Sequence, residues 1–212
     1  MHFIKIIKTL IQWCLALTAV LVSGGGTNLQ AIIDASRRGE IPHASLELVL
    51  SSKNGAYALE RAAAAGIPAF AADRKTLGSQ EAFEAALLEK LEEYRIEVIV
   101  LAGFLSILSA DFVSRYPNRI LNVHPALIPA FCGEGFYGLK VHEAALARGV
   151  KVTGATVHFV NEVADGGPII AQKAVKVREG DTPEKLQKRV MRLAEWKLLP
   201  AALEQVARDL AE

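Results

Sequence analysis

The segment Glu97–Ala102, Glu-Val-Ile-Val-Leu-Ala, constrains the fold of this chain more than any other. A strand with almost no polar side chains must be covered on both faces, which is typical of the centre of a parallel sheet. Apolar, β-branched segments at 17–23, 46–51 and 119–124 alternate along the chain with segments of helical periodicity. This alternation predicts an α/β fold in a single domain, with helices on both faces of a doubly wound, mostly parallel, Rossmann-like sheet.

The second half of the chain has a different pattern. Residues 152–160 and 169–177 read as strands separated by a glycine-rich turn, which predicts two antiparallel strands added to one side of the sheet. Pro183 is suited to the first turn of a long C-terminal helix that extends to about Leu210. Pro200 lies inside that helix, and we expect it to kink or split the helix.

The charge and cysteine content restrict the class of ligand. The chain has 24 basic and 23 acidic residues, a net charge of +1, and no block of lysine and arginine of the kind that binds nucleic acid. We therefore expect small-molecule ligands and no nucleic-acid partner. The two cysteines, Cys14 and Cys132, belong to no metal-binding motif, so we expect no metal and a reducing, cytoplasmic environment.

Residues 1–16 are the ambiguous part of the sequence. Two lysines precede an apolar run from Leu10 to Val22, a pattern that imitates a signal peptide. The run is short for a membrane span, which needs roughly 20 residues, and it leads directly into the first strand. We interpret residues 1–16 as an N-terminal extension of uncertain status and residues 17–212 as one domain, and we expect no membrane association.

Three polar residues in the second half of the chain point to catalysis. Side chains two apart in a strand point to the same face, so Asn122 and His124 project side by side, and Pro125 ends the run. Asp165 lies in a turn-forming segment, where aspartate is also common for local hydrogen bonding alone. If Asp165 packs near His124, we expect it to raise the pKa of the imidazole. An amide, an imidazole and a carboxylate can polarise a carbonyl and move a proton, which favours an acyl-transfer enzyme.

The segment Ser23–Asn28 joins the first strand to the first helix and contains three consecutive glycines. Glycines allow the backbone to turn tightly against a ligand, and the N-terminus of the following helix presents free N–H groups to an anion. The segment matches neither the P-loop nor the full dinucleotide-binding motif. It is compatible with a phosphate site or with a purely structural turn.

The other histidines leave their roles open. His158 and Thr156 alternate on one strand face, where either could contact the site or make a hydrogen bond in the core. His142 opens a helix and His43 lies in a loop, positions typical of structural or surface histidines. Five histidines without a carboxylate-rich cluster do not predict a metal site.

Five motifs occur in a fixed order along the chain: Val-Ser-Gly-Gly-Gly-Thr-Asn-Leu-Gln (22–30), Val-Leu-Ala-Gly-Phe-Leu-Ser-Ile-Leu (100–108), Leu-Asn-Val-His-Pro-Ala-Leu-Ile-Pro (121–129), Gly-Ala-Thr-Val-His-Phe-Val (154–160) and Asp-Gly-Gly-Pro-Ile-Ile (165–170). In these motifs the chain resembles the glycinamide ribonucleotide (phosphoribosylglycinamide) formyltransferases, folate-dependent enzymes of purine synthesis. The resemblance runs from about Val20 to the C-terminus.

The resemblance implies that residues 17–212 form a catalytic domain that transfers a formyl group from 10-formyltetrahydrofolate to the amine of glycinamide ribonucleotide in de novo purine biosynthesis. It implies that Asn122 and His124 bind the formyl oxygen, while Asp165 keeps His124 protonated and helps to remove a proton from the attacking amine. It assigns ribonucleotide binding to Gly25, Gly26, Thr27, Asn28 and Glu195. It assigns folate binding to Asn122 and to two segments: Leu105, Ser106, Ile107 and Leu108, and Asn161, Glu162, Val163, Ala164 and Asp165.

The chain departs from the family pattern in several places. Many relatives have an arginine where Ser106 stands and a basic residue where Gln80 stands, which affects the finer ligand contacts. Around Met191–Glu195 the chain is one residue longer than the commoner pattern. The loop Phe131–Tyr137 is an unusual variant, and we expect it to move over the substrate.

Two other functions remain open. Formyltetrahydrofolate hydrolase (deformylase) shares this type of catalytic domain, but its turn tends to read Asp-Glu-Gly-Pro where residues 165–168 here read Asp-Gly-Gly-Pro. A non-catalytic nucleotide- or folate-binding module is the third hypothesis, and the presence of Asn122, His124 and Asp165 weighs against it. For the formyltransferase we expect 10-formyltetrahydrofolate as co-substrate, glycinamide ribonucleotide as acceptor, no metal, and a monomer or homodimer.

Overall fold

A mixed seven-stranded sheet organises residues 15–212, the part of the chain that the computed structural model describes. The strands follow one another across the sheet in the order β3-β2-β1-β4-β5-β6-β7. Their bounds are β1 (Ala16–Val22), β2 (Ala44–Ser51), β3 (Ala69–Ala71), β4 (Val98–Leu101), β5 (Ile120–His124), β6 (Val152–Phe159) and β7 (Ile169–Lys176). Strands β1 to β5 are parallel, and β6 and β7 are antiparallel additions. The doubly wound α/β fold and the added antiparallel strands are therefore confirmed.

The helices connect the strands and end the chain. Their bounds are α1 (Thr27–Arg37), α2 (Tyr57–Ala64), α3 (Arg74–Leu77), α4 (Gln80–Glu93), α5 (Ala110–Ser114), α6 (Leu139–Arg148), α7 (Pro183–Val190), a π-helical turn (Met191–Glu195) and α8 (Trp196–Ala211). Helix α4 begins after Ser79, whose hydroxyl accepts a hydrogen bond from the N–H of Ala82, so an N-terminal N–H is satisfied by a side-chain cap.

Two hydrophobic clusters cover the two faces of the sheet. The first contains apolar side chains of α1, α2, α7 and α8, and the second contains those of α4 and α5. Strand β4 contributes Val98 and Val100 to the first cluster, and Ile99 and Leu101 to the second. Successive side chains of a strand point to opposite faces, so a strand between two clusters is apolar throughout. This arrangement explains the unbroken apolar segment Glu97–Ala102.

The carboxyl edge of the sheet brings two loops together. The chain passes from β1 outward through β2 to β3, and then from β4 in the other direction to β5, so β1 and β4 form a topological switch point. Ligands bind beyond the carboxyl ends of the strands at such a point. The N–H of Ser23 donates to the carbonyl of Gly103 at 3.1 Å, and the N–H of Leu105 donates to the Ser23 hydroxyl at 2.8 Å. The loops after β1 and β4 are therefore joined.

The irregular part of the C-terminal helix is the π-helical turn. We expected Pro200 to kink or split the helix; it does not split it, because Pro200 lies inside α8, and the break in the α-helical pattern occurs earlier, at Met191–Glu195. A π turn holds one more residue than an α turn. The turn spans the same five residues in which we expected the chain to be one residue longer than the family pattern, and a π-helical bulge can accommodate such an additional residue.

The N-terminal region is only partly described. Strand β1 begins at Ala16, close to the boundary drawn from the sequence, whereas residues 1–14 of the proposed extension lie outside the described residues. Within residues 15–212, no helix is both long and apolar enough to cross a membrane.

Candidate active site

The pairing of β5 with β6 builds the floor of the site. In this antiparallel pair Asn122 lies opposite His158, and His124 lies opposite Thr156. The Nδ2 atom of Asn122 lies 3.2 Å from Nε2 of His158. His158 donates from Nδ1 to the carbonyl of Phe159 at 2.8 Å, which leaves its Nε2 facing the amide of Asn122. The sequence had left His158 undecided between the site and the core, and the structure places it in contact with Asn122.

Asp165 lies against this floor, at the end of β5. Its Oδ2 is 3.3 Å from Nδ1 of His124, and its Oδ1 is 3.5 Å from both Nε2 of His158 and Nδ2 of Asn122. One carboxylate therefore contacts an amide and two imidazoles. The four side chains are half-buried or buried, so their interactions are screened less by water than those of surface groups.

The turn between β6 and β7 holds Asp165 in place through a close backbone contact. A Cβ added to Gly167 would lie 1.8 Å from the carbonyl oxygen of Phe159, so only glycine fits. Asp165 itself has φ of 54°, a left-handed conformation that aspartate tolerates better than most residues. The geometry of this turn therefore requires glycine at position 167 and is compatible with aspartate at position 165.

The loop after β5 also contacts the site, through its backbone. Nε2 of His124 donates to the carbonyl of Phe131 at 2.8 Å, and the N–H of Gly133 donates to Oδ2 of Asp165 at 2.9 Å. Phe131 has φ of 52°, which is unfavourable for a bulky side chain and is the kind of strain found near functional sites. These two contacts could not be predicted from the sequence, because they are made by main-chain atoms.

Burial and the neighbouring charges act on His124 in opposite directions. Burial lowers the pKa of His124 below its usual value, whereas the charge of Asp165 and the Phe131 carbonyl act to raise it. We expected Asp165 to raise this pKa, and it does act in that direction, but the loss of hydration outweighs it and the net shift is downward. Both ring nitrogens face an acceptor while burial disfavours the charge, so the imidazole is suited to gaining and losing a proton.

Asp165 stays ionised in this environment. Burial acts to raise its pKa, but the hydrogen bond from His158, the N–H of Gly133 and the charge of His124 together lower the pKa below its usual value. A carboxylate held in the charged form can orient a neighbouring imidazole and stabilise its protonated state.

His142, on α6, is a buried histidine close to this cluster. It is fully buried, and neither ring nitrogen has a hydrogen-bond partner among the described residues. Burial, with a smaller contribution from the charge of His124, lowers the pKa of His142 to about 4. The sequence suggested a structural or surface role for His142, and the structure excludes a surface position.

The low pKa of His142 predicts a loss of stability in acid. Its pKa in the folded protein, about 4, lies below the ordinary value of 6.5 that we take for the unfolded chain. The stability associated with the uncharged, buried imidazole is fully present above pH 6.5 and is lost as the pH falls toward 4, because the unfolded chain then binds a proton that the folded protein does not. Between pH 7 and pH 5 it amounts to about 2 kcal/mol. Between pH 7 and pH 5 we expect the free energy of unfolding of the wild type to fall by about 2 kcal/mol more than that of His142→Leu. Urea denaturation at the two pH values measures this difference.

Ala145→Gly, a substitution of a buried residue on the same helix, is the control for this prediction. It should lower the free energy of unfolding by the same amount at pH 7 and at pH 5, because it removes no titratable group. If His142→Leu and the wild type lose equal stability between the two pH values, His142 does not carry this acid sensitivity.

The glycine-rich segment after β1 is held against α2. Gly26 has φ of 69°, and a Cβ added to it would lie 2.6 Å from Cβ of Ala58, so both its conformation and its packing require glycine. Nε of Arg61 donates to the carbonyl of Gly25 at 2.8 Å. Thr27 follows as the first residue of α1. The segment is thus a fixed turn that leads into a helix N-terminus, the arrangement that binds phosphate groups in other proteins.

Asn28 and Glu195 contact each other although they are distant in sequence. Nδ2 of Asn28 donates to Oε2 of Glu195 at 2.8 Å, which joins the start of α1 to the π-helical turn. Burial raises the pKa of Glu195 to about 7, and the hydrogen bond from Asn28 acts to lower it. Oδ1 of Asn28 has no partner among the described residues although it is buried. Asn28 and Glu195, two of the residues assigned to the ribonucleotide, therefore form one hydrogen-bonded unit.

Both segments assigned to the folate expose apolar side chains. Leu105, Ile107 and Val163 are 58%, 77% and 59% exposed, whereas Leu108 is buried in the core. Gln80 donates from Nε2 to the carbonyl of Ile107 at 3.0 Å. Exposed apolar side chains next to fixed backbone groups are suited to a flat heteroaromatic ligand.

The described residues contain no cluster of side chains suited to binding a metal ion. Among residues 15–212, no three His, Cys, Asp or Glu side chains lie together in an arrangement that could hold a metal ion.

Comparisons with known proteins relate this site to a family of enzymes. The description of the matching family is formyl transferase, and the match covers residues 17–203. A phosphoribosylglycinamide formyltransferase of Escherichia coli is 43% identical over 171 residues, which are 81% of this chain and 78% of that protein. The trifunctional purine biosynthetic protein adenosine-3 of Gallus gallus is 47% identical over 189 residues, 89% of this chain. The chain spans only 18% of the length of that trifunctional protein.

Solved structures agree with the sequence comparison. The glycinamide ribonucleotide transformylase 1 of Symbiobacterium toebii has a TM-score of 0.85 and 44% identity, and the alignment covers 92% of this chain and 89% of that one. The phosphoribosylglycinamide formyltransferase of Brucella melitensis has a TM-score of 0.82 and 42% identity over 91% of this chain and 96% of that one. These results confirm the resemblance seen in the five motifs. The chain belongs to the formyl transferase family.

Proposed function

We propose that this protein transfers a formyl group from 10-formyltetrahydrofolate to the primary amine of glycinamide ribonucleotide, a step of de novo purine biosynthesis. The observation that carries the proposal is the contact of one ionised carboxylate, Asp165, with Asn122 and His124 at the end of β5. The choice of substrates is supported by the names of the relatives from Escherichia coli and Symbiobacterium toebii, of which the chain covers 78% and 89%.

The reaction requires an oxyanion to be stabilised and a proton to be moved. The amine nitrogen attacks the formyl carbon, and the carbonyl π electrons move to oxygen, giving a tetrahedral intermediate with a negative oxygen. Asn122 can donate an N–H to this oxygen, and His124, when protonated, can donate a second one. Asp165 assists removal of the proton from the attacking amine. When the intermediate collapses, the bond to N10 of the folate breaks, and that nitrogen receives a proton.

The loop after β5 regulates access to His124 in this proposal. The Phe131 carbonyl accepts the hydrogen bond of Nε2, and Asp165 faces Nδ1. A formyl oxygen can therefore reach Nε2 only when the Phe131 carbonyl moves away. Release of the backbone strain at Phe131 would offset part of the cost of this movement.

The two substrates are assigned to different loops around the catalytic residues. The backbone of Gly25 and Gly26 and the N-terminus of α1 would hold the ribonucleotide phosphate, and the Asn28–Glu195 unit would contact the sugar. The exposed apolar side chains of the loops after β4 and β6 would pack on the pteridine ring of the folate.

Release of tetrahydrofolate from 10-formyltetrahydrofolate, measured with and without glycinamide ribonucleotide, tests the proposed function. Turnover that depends on the ribonucleotide supports the formyltransferase. Equal turnover without it would mean that water is the acceptor and that the protein is a hydrolase. Absence of turnover in both reactions, with binding of either ligand retained, would indicate a non-catalytic binding module.

The Asn28–Glu195 hydrogen bond gives a second prediction for binding. Asn28→Ala removes the donor that orients the buried Glu195, so we expect the KM for glycinamide ribonucleotide to rise about tenfold. We expect kcat and the folate KM to change by less than about twofold. Ser36→Ala is the control, because Ser36 lies on the same helix but is exposed near its other end, away from Glu195 and the glycine-rich segment. A changed folate KM with an unchanged ribonucleotide KM would show that the two pockets are reversed.

A further inference from the structure

A cleft beside the phosphate loop is lined by several basic residues. It has a volume of about 670 Å³ and is lined by Thr27 and by five cationic side chains: Arg178, Lys185, Lys188, Arg189 and Arg192. None of the described residues along its wall is acidic. Because the whole chain has a net charge of only +1, this concentration of cations is local and does not reflect a basic protein. Anions in solution are therefore attracted to this cleft in particular.

Most of these cations are not neutralised by an ion pair. Arg189 donates to Oδ1 of Asp181 at 2.6 Å, and this pair fixes the arginine at the edge of the cleft. Within residues 15–212, the other four cations make no salt bridge. Unpaired cations in a concave surface reinforce one another's field, because the low-dielectric walls reduce screening.

The position of the cleft connects these cations to the proposed ribonucleotide site. Thr27 is the first residue of α1, whose free N–H groups face the carboxyl edge of the sheet, and it also lines the cleft. Met191 and Trp196 line the cleft from the two ends of the π-helical turn that carries Glu195. The cleft therefore begins at the two elements to which the ribonucleotide is assigned.

We propose that the basic cleft collects phosphomonoester dianions from solution and guides the phosphorylated acceptor to the loop Gly25–Asn28. This inference rests on the proposed function, since that function supplies the phosphorylated substrate. Arg178, Lys185 and Lys188 act at a distance through their charge and do not contact the reacting atoms. The cleft raises the rate of capture, and it favours a phosphorylated acceptor over an uncharged one.

The test removes three of these charges and measures the salt dependence of catalysis. In Arg178→Gln/Lys185→Gln/Lys188→Gln we expect kcat/KM for glycinamide ribonucleotide to fall about tenfold at low ionic strength, with kcat and the folate KM unchanged. The difference from the wild type should become small at high ionic strength, where the Debye length is only about 3 Å at 1 M salt.

The control removes the same charge from the opposite edge of the sheet. Arg95, Arg115 and Arg119 line a second cleft, of about 720 Å³, and Arg95→Gln/Arg115→Gln/Arg119→Gln should keep the wild-type kcat/KM at every salt concentration. If the two triple variants behave alike, the guiding role is wrong. A fall in kcat in the cleft variant that high salt does not reverse would also overturn it. Absence of ribonucleotide-dependent turnover in the wild type would instead refute the proposed function.

Discussion

His124→Ala is expected to lower kcat for formyl transfer by about a hundredfold or more, because loss of one oxyanion donor commonly has an effect of this size. The substitution removes a side chain that lies 3.3 Å from Asp165 and donates to the Phe131 carbonyl at 2.8 Å. We expect smaller changes in both KM values, since the proposed contact with the formyl oxygen strengthens only as charge develops on it. The measurement is steady-state release of tetrahydrofolate with both substrates present.

The matched control for this prediction is His43→Ala. His43 interacts with Glu204 at the C-terminal helix and is partly exposed, away from β5. We expect the same kcat as in the wild type. His124→Ala with nearly wild-type turnover would show that the imidazole does not stabilise the reaction's charge. A large rise in both KM values with an unchanged kcat would assign His124 to ligand binding alone.

The fold could be predicted from the sequence because its main determinant is local. Strands predicted at 119–124 and 152–160 are observed at Ile120–His124 and Val152–Phe159. In each case the apolar pattern defines the buried part of the strand, and the end residues depend on hydrogen bonds that the pattern does not encode. The position of Asn122 and His124 on one face follows from the two-residue period of a strand.

The rest of the site depends on contacts between segments that are distant in sequence. Asp165 reaches His124 only because the turn after β6 folds tightly at Gly167, and the spacing of Asp165 in the sequence contains no such information. His158 contacts Asn122 because of the register between β5 and β6. The net direction of the His124 pKa shift depends on how much of the imidazole is covered, which sequence reasoning could not supply.

The basic cleft illustrates the same limit on a larger scale. Its cations come from the segment after β7, from α7 and from the π-helical turn, and most of them are separated by acidic, polar or apolar residues in the sequence. The longest run of consecutive basic residues among them is the pair Lys188-Arg189, so a search for a basic block does not find the cleft. Only the packing of α7 and the π-helical turn beside α1 places these side chains around one cavity.

Asp165→Asn is expected to have the largest effect of the substitutions considered, a decrease in kcat of about a thousandfold or more. The carboxylate accepts the N–H of Gly133 at 2.9 Å and lies within 3.5 Å of Asn122, His124 and His158. Asparagine has almost the same shape, but it has no charge and replaces one acceptor by a donor. The protonated imidazole then loses its counter-charge, and the amide of Asn122 loses an acceptor that orients it.

The pH dependence of the same variant separates a catalytic role from a structural one. Asp165 acts to raise the pKa of His124, in opposition to burial, so its removal should move the His124 limb of the kcat profile to lower pH. Asp73→Asn is the control, because Asp73 caps α3 by accepting the N–H of Lys75 and asparagine caps equally well. We expect wild-type kcat and an unshifted limb in that control. If Asp165→Asn loses activity without moving the limb, Asp165 holds the loop in place but does not set the charge of His124.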